Sequence, residues 1–110
     1  MRVRLIIENG GRAVSKFVDL PEVPSVGALV QADRTRRVVG VELAAEHGEH
    51  AIYLAEDATD LAVYIQPAAH LARLDAMKAD GWEVEDEDAL RAWLRERLGQ
   101  PGRPGAVERA

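Results

Sequence analysis

The sequence lacks cysteine entirely, although it is 110 residues long. This absence excludes disulfide bonds, thiolate nucleophiles and cysteine-ligated zinc sites, and it fits a protein of the reducing cytoplasm. Aromatic residues are also few, at 5% of the chain. They are Phe17, Tyr53, Tyr64, Trp82 and Trp93. The core must therefore be mainly aliphatic, and each aromatic ring should have a large share in the packing.

Long apolar runs and a basic charge excess are missing as well. No apolar run approaches the roughly 20 residues that span a bilayer, so we expect no membrane contact. The first segment, MRVRLIIE, reaches an acid after three consecutive apolar residues, which is not typical of a signal peptide. The formal net charge is −5, and neither half of the chain is basic, which disfavours nucleic acid as a partner. Arginine outnumbers lysine 12 to 2, a bias typical of GC-rich bacterial genes.

Residues 1–66 contain five short runs in which apolar residues recur at every second position. The period of two predicts strands, and short strands separated by tight turns favour an antiparallel meander or small barrel. The predicted turns and loops are Asn9-Gly10-Gly11, Pro24–Gly27, Asp33-Arg34 and Glu46–His50. Gly40 lies in the middle of the fourth run, which predicts a bulge or a sharp bend there. Further along, Ile52 and Leu54 alternate with Tyr53, and Leu61, Val63 and Ile65 alternate with Ala62 and Tyr64.

Three segments of this half resemble the core of small bacterial SH3-like barrels. The segments are Pro24-x-x-Gly27-x-x-Val30, Arg37-Val38-Val39-x-Val41 and Ile52-Tyr53-Leu54. The resemblance covers about half of the chain and implies a fold. It implies no function, because barrels of this kind bind peptides, RNA, DNA or other domains.

The period changes from two to 3.6 near Pro67, and the pattern predicts helices over 68–79 and 87–98. Asp80-Gly81 is a typical helix stop, and Asp86 is a suitable N-cap for the second helix. The sequence therefore predicts an α+β protein, with a five-stranded antiparallel unit followed by two C-terminal helices. We expect one domain over 1–99, made of a β unit (1–66) and a helical extension (67–99), and a disordered tail over 100–110.

The helical extension contains the residues that we expect to make contacts. Trp93 shares an apolar stripe with Leu90 and Leu94, so we predict that it anchors the last helix in the core. Trp82 and Trp93 together also suggest apolar surface available for a partner. Arg97 lies in the middle of the stripe, where a charge is better tolerated at an interface rim than in a sealed core. This placement favours a homodimer built on the C-terminal helices.

Two groups of residues suggest a metal site or a switch. Glu46, His47, Glu49 and His50 have the composition of a metal site, but no third fixed ligand is evident, and surface residues without metal are the favoured interpretation. Whether this turn binds a metal stays open. His70 lies on the same helical face as Leu74 and Met77, and a packed or capping residue is favoured there over a switch.

Arg34, Arg36 and Arg37 form a basic cluster beside the predicted turn between the third and fourth strands. The favoured interpretation is a solvated edge whose charges oppose strand pairing with other chains. The alternative is recognition of a phosphate or of an acidic partner.

The sequence contains no evident catalytic set or phosphate-binding loop. We therefore expect no enzyme activity and no cofactor. The favoured function is a non-enzymatic protein-interaction or regulatory accessory module of a bacterial system, with another protein or a second copy as its partner. The alternative function is a nucleic-acid-binding small barrel that uses the arginine cluster.

Overall fold

The computed structural model of the protein describes residues 1–9, 12–44 and 49–99. Within these ranges the chain forms six strands and three helices. They are β1 (Arg2–Asn9), β2 (Arg12–Asp19), β3 (Leu29–Gln31), β4 (Thr35–Ala44), β5 (Glu49–Leu54), α1 (Ala58–Tyr64), α2 (Pro67–Ala79), β6 (Glu83–Val84) and α3 (Glu87–Gly99). The predicted α+β class is confirmed. The tail that we predicted to be disordered, 100–110, lies outside the described residues.

The strands form one mixed sheet in the order β3-β4-β5-β1-β2-β6. The neighbours β1 and β5 run parallel, with Leu5 opposite Ile52, whereas the other neighbouring pairs are antiparallel. The prediction of a five-stranded antiparallel unit is therefore wrong, and the sheet is open, with β3 and β6 at its edges. Alternation along a strand is the same for either direction of pairing, so the period could not reveal the parallel pair. The resemblance to SH3-like barrels stays a prediction.

Two predicted glycine positions have the expected backbone geometry. The register between β4 and β5 shifts between Val38 and Gly40, which confirms a bulge at Gly40. Gly81 has a φ of +92° directly after the C-cap Asp80, which confirms the predicted stop of α2. Gly40 thus lies at a bulge within a strand and Gly81 at the end of a helix, as the sequence indicated.

Helix α1 replaces the strand that we predicted from Leu61, Val63 and Ile65. Asp57 caps this helix, and Asp60 completes a capping box with it. Leu61 and Ile65 lie one helical turn apart and are 61% and 71% exposed. The period of two was misleading because the intervening Ala62 is also apolar, so the same residues fit a helix equally well.

Helices α2 and α3 match the predicted ranges to within one residue. The conformation of Asp86 differs from the prediction, because its φ is +50° and N-cap residues usually have extended backbone. Its carbonyl nevertheless accepts a hydrogen bond from the Leu90 amide at 2.9 Å. No helix in the described part of the chain is long and apolar enough to cross a membrane.

The core has two parts that share α2. Met77 of α2 packs with Trp82 against the aliphatic face of the central strands. Leu74, one turn earlier, packs against Leu90 and Leu94 of α3. Helix α3 is therefore held mainly by α2, and a large share of its surface remains outside the core.

Candidate functional site

A group of charged side chains surrounds Asp60 in the first turn of α1. The capping box fixes this aspartate, because the Asp57 amide donates to Asp60 Oδ2 at 2.8 Å. In return, Asp57 Oδ1 accepts from the amides of Thr59 and Asp60. Asp60 is fully buried, with 0% of its surface exposed. A carboxylate in this position needs charged partners from other elements.

Three arginines supply those partners. Arg36 donates from Nη2 to Asp60 Oδ1 at 2.8 Å and from Nη1 to Oδ2 at 3.0 Å. Arg34 donates from Nη2 to Oδ2 at 2.8 Å, and Arg73 donates from Nη1 to Oδ1 at 2.7 Å. The three arginines come from the β3–β4 turn, from β4 and from α2. One carboxylate therefore joins α1 to the sheet and to α2.

Arg36 is the most enclosed of the three arginines, with a side chain that is 2% exposed. It also binds Asp33 through two hydrogen bonds of 2.6 and 2.8 Å, and it donates to the Ala55 carbonyl at 2.8 Å. Buried ion pairs are tolerated when the remaining donors and acceptors are satisfied in this way. The arrangement is typical of a structural clamp that holds α1 and β4 together. We call Asp60 with Arg34, Arg36 and Arg73 the Asp60 clamp.

The carboxylates of the group are ionised. Burial alone would raise the pKa of Asp60, but hydrogen bonds from Arg36, the Asp57 amide and Arg73 hold that pKa well below its usual range. Burial also opposes ionisation of Asp33, and its bonds to Arg36 lower its pKa below the ordinary value. Both aspartates are therefore charged at neutral pH.

A second set of polar side chains lies beside the clamp. The Tyr64 hydroxyl donates to Glu56 Oε2 at 2.5 Å, and burial followed by this contact raises the pKa of Tyr64. Burial also raises the pKa of Glu56. The His70 ring lies 5.0 Å from the Tyr64 ring, and burial, followed by the positive charge of Arg73, lowers the pKa of His70. His70 is buried on α2, as the favoured interpretation of the sequence predicted.

The predicted basic cluster of Arg34, Arg36 and Arg37 does not form a single surface. Arg36 is buried, so the solvated edge and the phosphate-binding patch are both wrong for this residue. Arg34 is held by Asp60 and, at 2.9 Å, by Asp57. Arg37 is exposed and lies opposite Leu29 on the edge pair of strands. Adjacent residues of a strand point to opposite faces, which separates Arg36 from Arg37.

The two tryptophans exchange the roles that we predicted for them. Trp82 is 1% exposed and belongs to the core, so it offers no surface to a partner. Trp93 is 47% exposed, and the prediction that it anchors α3 is wrong. Leu90 and Leu94 provide that anchor, since they point directly at α2 and Trp93 lies to one side of them. Arg97 stacks over the Trp93 ring, with 4.8 Å between its guanidinium carbon and the ring centre.

The predicted metal-site residues are only partly described. Glu46 and His47 lie outside the described residues, and Glu49 and His50 begin β5. In the described part of the chain, no group of three or more histidines, cysteines and acids is placed to hold a metal ion.

A cleft of about 590 Å³ opens next to the Asp60 clamp. Arg34 and Arg73 contribute to its wall, and Met77 and Trp82 contribute its apolar part. Asp80 also lies in the wall and pairs with Lys16 at 3.2 Å. The volume lies within the range of small-molecule sites.

The sequence did not lead us to Asp60, at the centre of the clamp, or to Arg73, which binds Asp60 from α2. One signal was present for Asp60: Asp57-Ala58-Thr59-Asp60 has an N-cap residue and an acid three positions later, the spacing of a capping box. Nothing in the sequence links Arg73 to a carboxylate 13 positions earlier.

Comparison of the chain with protein-family models, with curated proteins and with solved structures finds no match.

Proposed function

We propose that this protein is a non-enzymatic interaction module that associates with a second copy of itself through α3. The exposure of Trp93 carries the proposal, because half-exposed tryptophans on a surface helix are typical of binding interfaces. Ala89, Trp93 and Arg97 follow one another at intervals of four residues and so form one row along the helix. We call them the Trp93 row. A small residue at one end of this row leaves room for a neighbouring helix.

Charge complementarity favours a second copy over an unrelated partner. The segment before and at the start of α3 is acidic, with Glu83, Glu85, Asp86, Glu87 and Asp88. The last turns carry Arg95 and Arg97 together with one acid, Glu96, and are therefore basic by a single charge. A helix with one acidic end and one basic end complements itself when two copies lie antiparallel, and the opposed helix dipoles add to this.

The spacing along α3 supports the same arrangement. If the two Trp93 rings meet at the twofold axis, Arg97 lies about 6 Å beyond them along the helix. In the second copy, Asp86 precedes Trp93 by seven residues. Because that helix runs in the opposite direction, its Asp86 lies about 10.5 Å from the twofold axis on the same side as Arg97 of the first copy. The remaining offset of about 4.5 Å is within reach of an arginine side chain. Each dimer would then contain two such ion pairs.

Light scattering across micromolar concentrations tests the proposal. We expect the mass of a dimer for the parent chain and that of a monomer for Trp93→Ser. Leu98→Ser is the matched control, because Leu98 is 50% exposed but points to the other flank of α3. A monomer mass for the parent at every concentration would refute the dimer.

A charge exchange tests the predicted ion pair separately. Arg97→Glu should weaken the dimer, and Arg97→Glu combined with Asp86→Arg should restore it. A dimer that is unaffected by Arg97→Glu would exclude the role of this charge while leaving the Trp93 contact in place.

The nucleic-acid alternative has no supporting observation of its own, since aspartates already hold Arg34 and Arg36. We also propose that the module acts in the cytoplasm of a bacterium, as an accessory or regulatory component. This wider context rests on the absence of cysteine and on the preference for arginine.

A further inference from the structure

The cleft beside Asp60 has donors that the clamp does not use. A guanidinium has five N–H donors. Within the described residues, the side-chain hydrogen bonds of Arg34 leave only from Nη2, and those of Arg73 leave only from Nη1. Nε and the other terminal nitrogen of each arginine therefore remain available. Both side chains line the cleft, and both are partly exposed, at 34% and 17%.

The clamp also holds these two guanidiniums in place. Asp60 Oδ1 fixes Arg73, and Asp60 Oδ2 fixes Arg34. Since Asp60 is fully buried and tied to the backbone of Asp57, the two arginines lose little further freedom when a ligand binds. Guanidinium groups arranged in this way suit the two oxygens of a carboxylate.

The acids in the cleft wall are already paired. Asp33 accepts two hydrogen bonds from Arg36, and Asp80 pairs with Lys16. Their charges are therefore largely compensated within the protein, and they oppose an incoming anion less than two free carboxylates would. Met77 and Ala76 add apolar surface to the same cleft.

We infer that this cleft binds a small organic carboxylate, whose oxygens accept from Arg34 and Arg73 and whose apolar part lies along Met77. The inference is independent of the dimer proposed above, because α3 contributes nothing to the cleft wall.

Nitrogen-15 NMR of the full chain with benzoate as the probe tests this inference. The indole N–H of Trp82 reports on the cleft, and that of Trp93 is a control within the same spectrum. We expect saturable shifts of the Trp82 indole signal and of the Nε signals of Arg34 and Arg73, with the Trp93 signal unmoved. Benzyl alcohol, which has the ring without the charge, should produce no such shifts.

Arg34→Gln should weaken benzoate binding roughly tenfold or more, the cost of a hydrogen bond to a charged group. Arg37→Gln removes the same charge from an exposed residue outside the cleft and should have no effect. The inference is overturned if benzoate moves none of the cleft signals, if benzyl alcohol moves them equally, or if both variants weaken binding alike. If the spectrum of Arg34→Gln shows that this variant is unfolded, the comparison of benzoate with benzyl alcohol on the parent chain tests the inference without it.

Discussion

Replacing Asp60 by asparagine should remove much of the stability of the protein. Asp60 accepts five hydrogen bonds, four from guanidiniums and one from a backbone amide. An asparagine of the same shape has no charge and would place an NH₂ group against guanidinium donors. Among the residues that the structure describes, Arg36, whose side chain is 2% exposed, would keep only Asp33 as a charged partner.

The expected loss in the free energy of unfolding is roughly 3–5 kcal/mol, as when one partner of a buried ion pair is removed. This is a large fraction of the roughly 5–15 kcal/mol that stabilises a typical domain. Urea denaturation measures it, and the midpoint should fall by about 1 M or more. Asp57→Asn is the matched control: it loses an ion pair with Arg34, but the Asp57 side chain is 59% exposed, so this pair contributes little, and asparagine caps a helix as well as aspartate does. A loss below about 1 kcal/mol for Asp60→Asn would refute the clamp.

The pH dependence of stability gives a second test of the same reasoning. The pKa of Asp60 is lower in the folded chain than its ordinary value of 3.8. Its stabilising contribution is therefore complete above about pH 4 and is lost as the pH falls from there towards the folded-state pKa. The parent should lose stability with acid more steeply than Asp60→Asn does. Because the pKa of Asp33 is also lowered, the stability of Asp60→Asn should still depend somewhat on pH. Equal pH dependence in the parent and in Asp60→Asn would contradict the role given to Asp60.

Three further predictions concern single side chains, and urea denaturation at low protein concentration checks each of them. Trp82→Ala should cost about 3–5 kcal/mol, whereas Trp93→Ala should cost under about 1 kcal/mol, and equal losses would contradict their different burial. Asp86→Gly should raise stability by about 0.5 kcal/mol, because glycine adopts a φ of +50° without strain; a lower midpoint would contradict this. Burial raises the pKa of Glu56 above 4.5, so ionising this carboxyl costs stability as the pH rises through that value. Glu56→Gln should therefore stabilise the protein at pH 7 but not at pH 4, and equal effects at both pH values would contradict it.

The sequence predicted the features that depend on local chemistry. The ranges of α2 and α3, the bulge at Gly40 and the stop at Gly81 all follow from residues within one or two turns of each other. The parallel pairing of β1 with β5 joins Leu5 to Ile52 across the sheet, and no local pattern records such a partner. The helical periodicity also could not predict the exposure of Trp93. The apolar stripe of α3 is wider than the surface that α2 covers, and the residues that α2 covers are Leu90 and Leu94.

Arg36 and Arg37 of the arginine run lie on opposite faces of β4. In a strand, Arg36 and Val38 must share one face, and Arg37 must share the other with Val39. Val38 is buried and Val39 is 55% exposed, so the structure places Arg36 on the core side, whereas the alternation of Val39, Val41 and Leu43 had favoured the opposite face. A buried arginine requires a carboxylate, and the nearby acids Asp33 and Asp60 were candidates in the sequence. A basic run within a strand is thus better interpreted as two separate faces than as one patch. An arginine that shares a face with buried apolar residues points to a buried acid nearby.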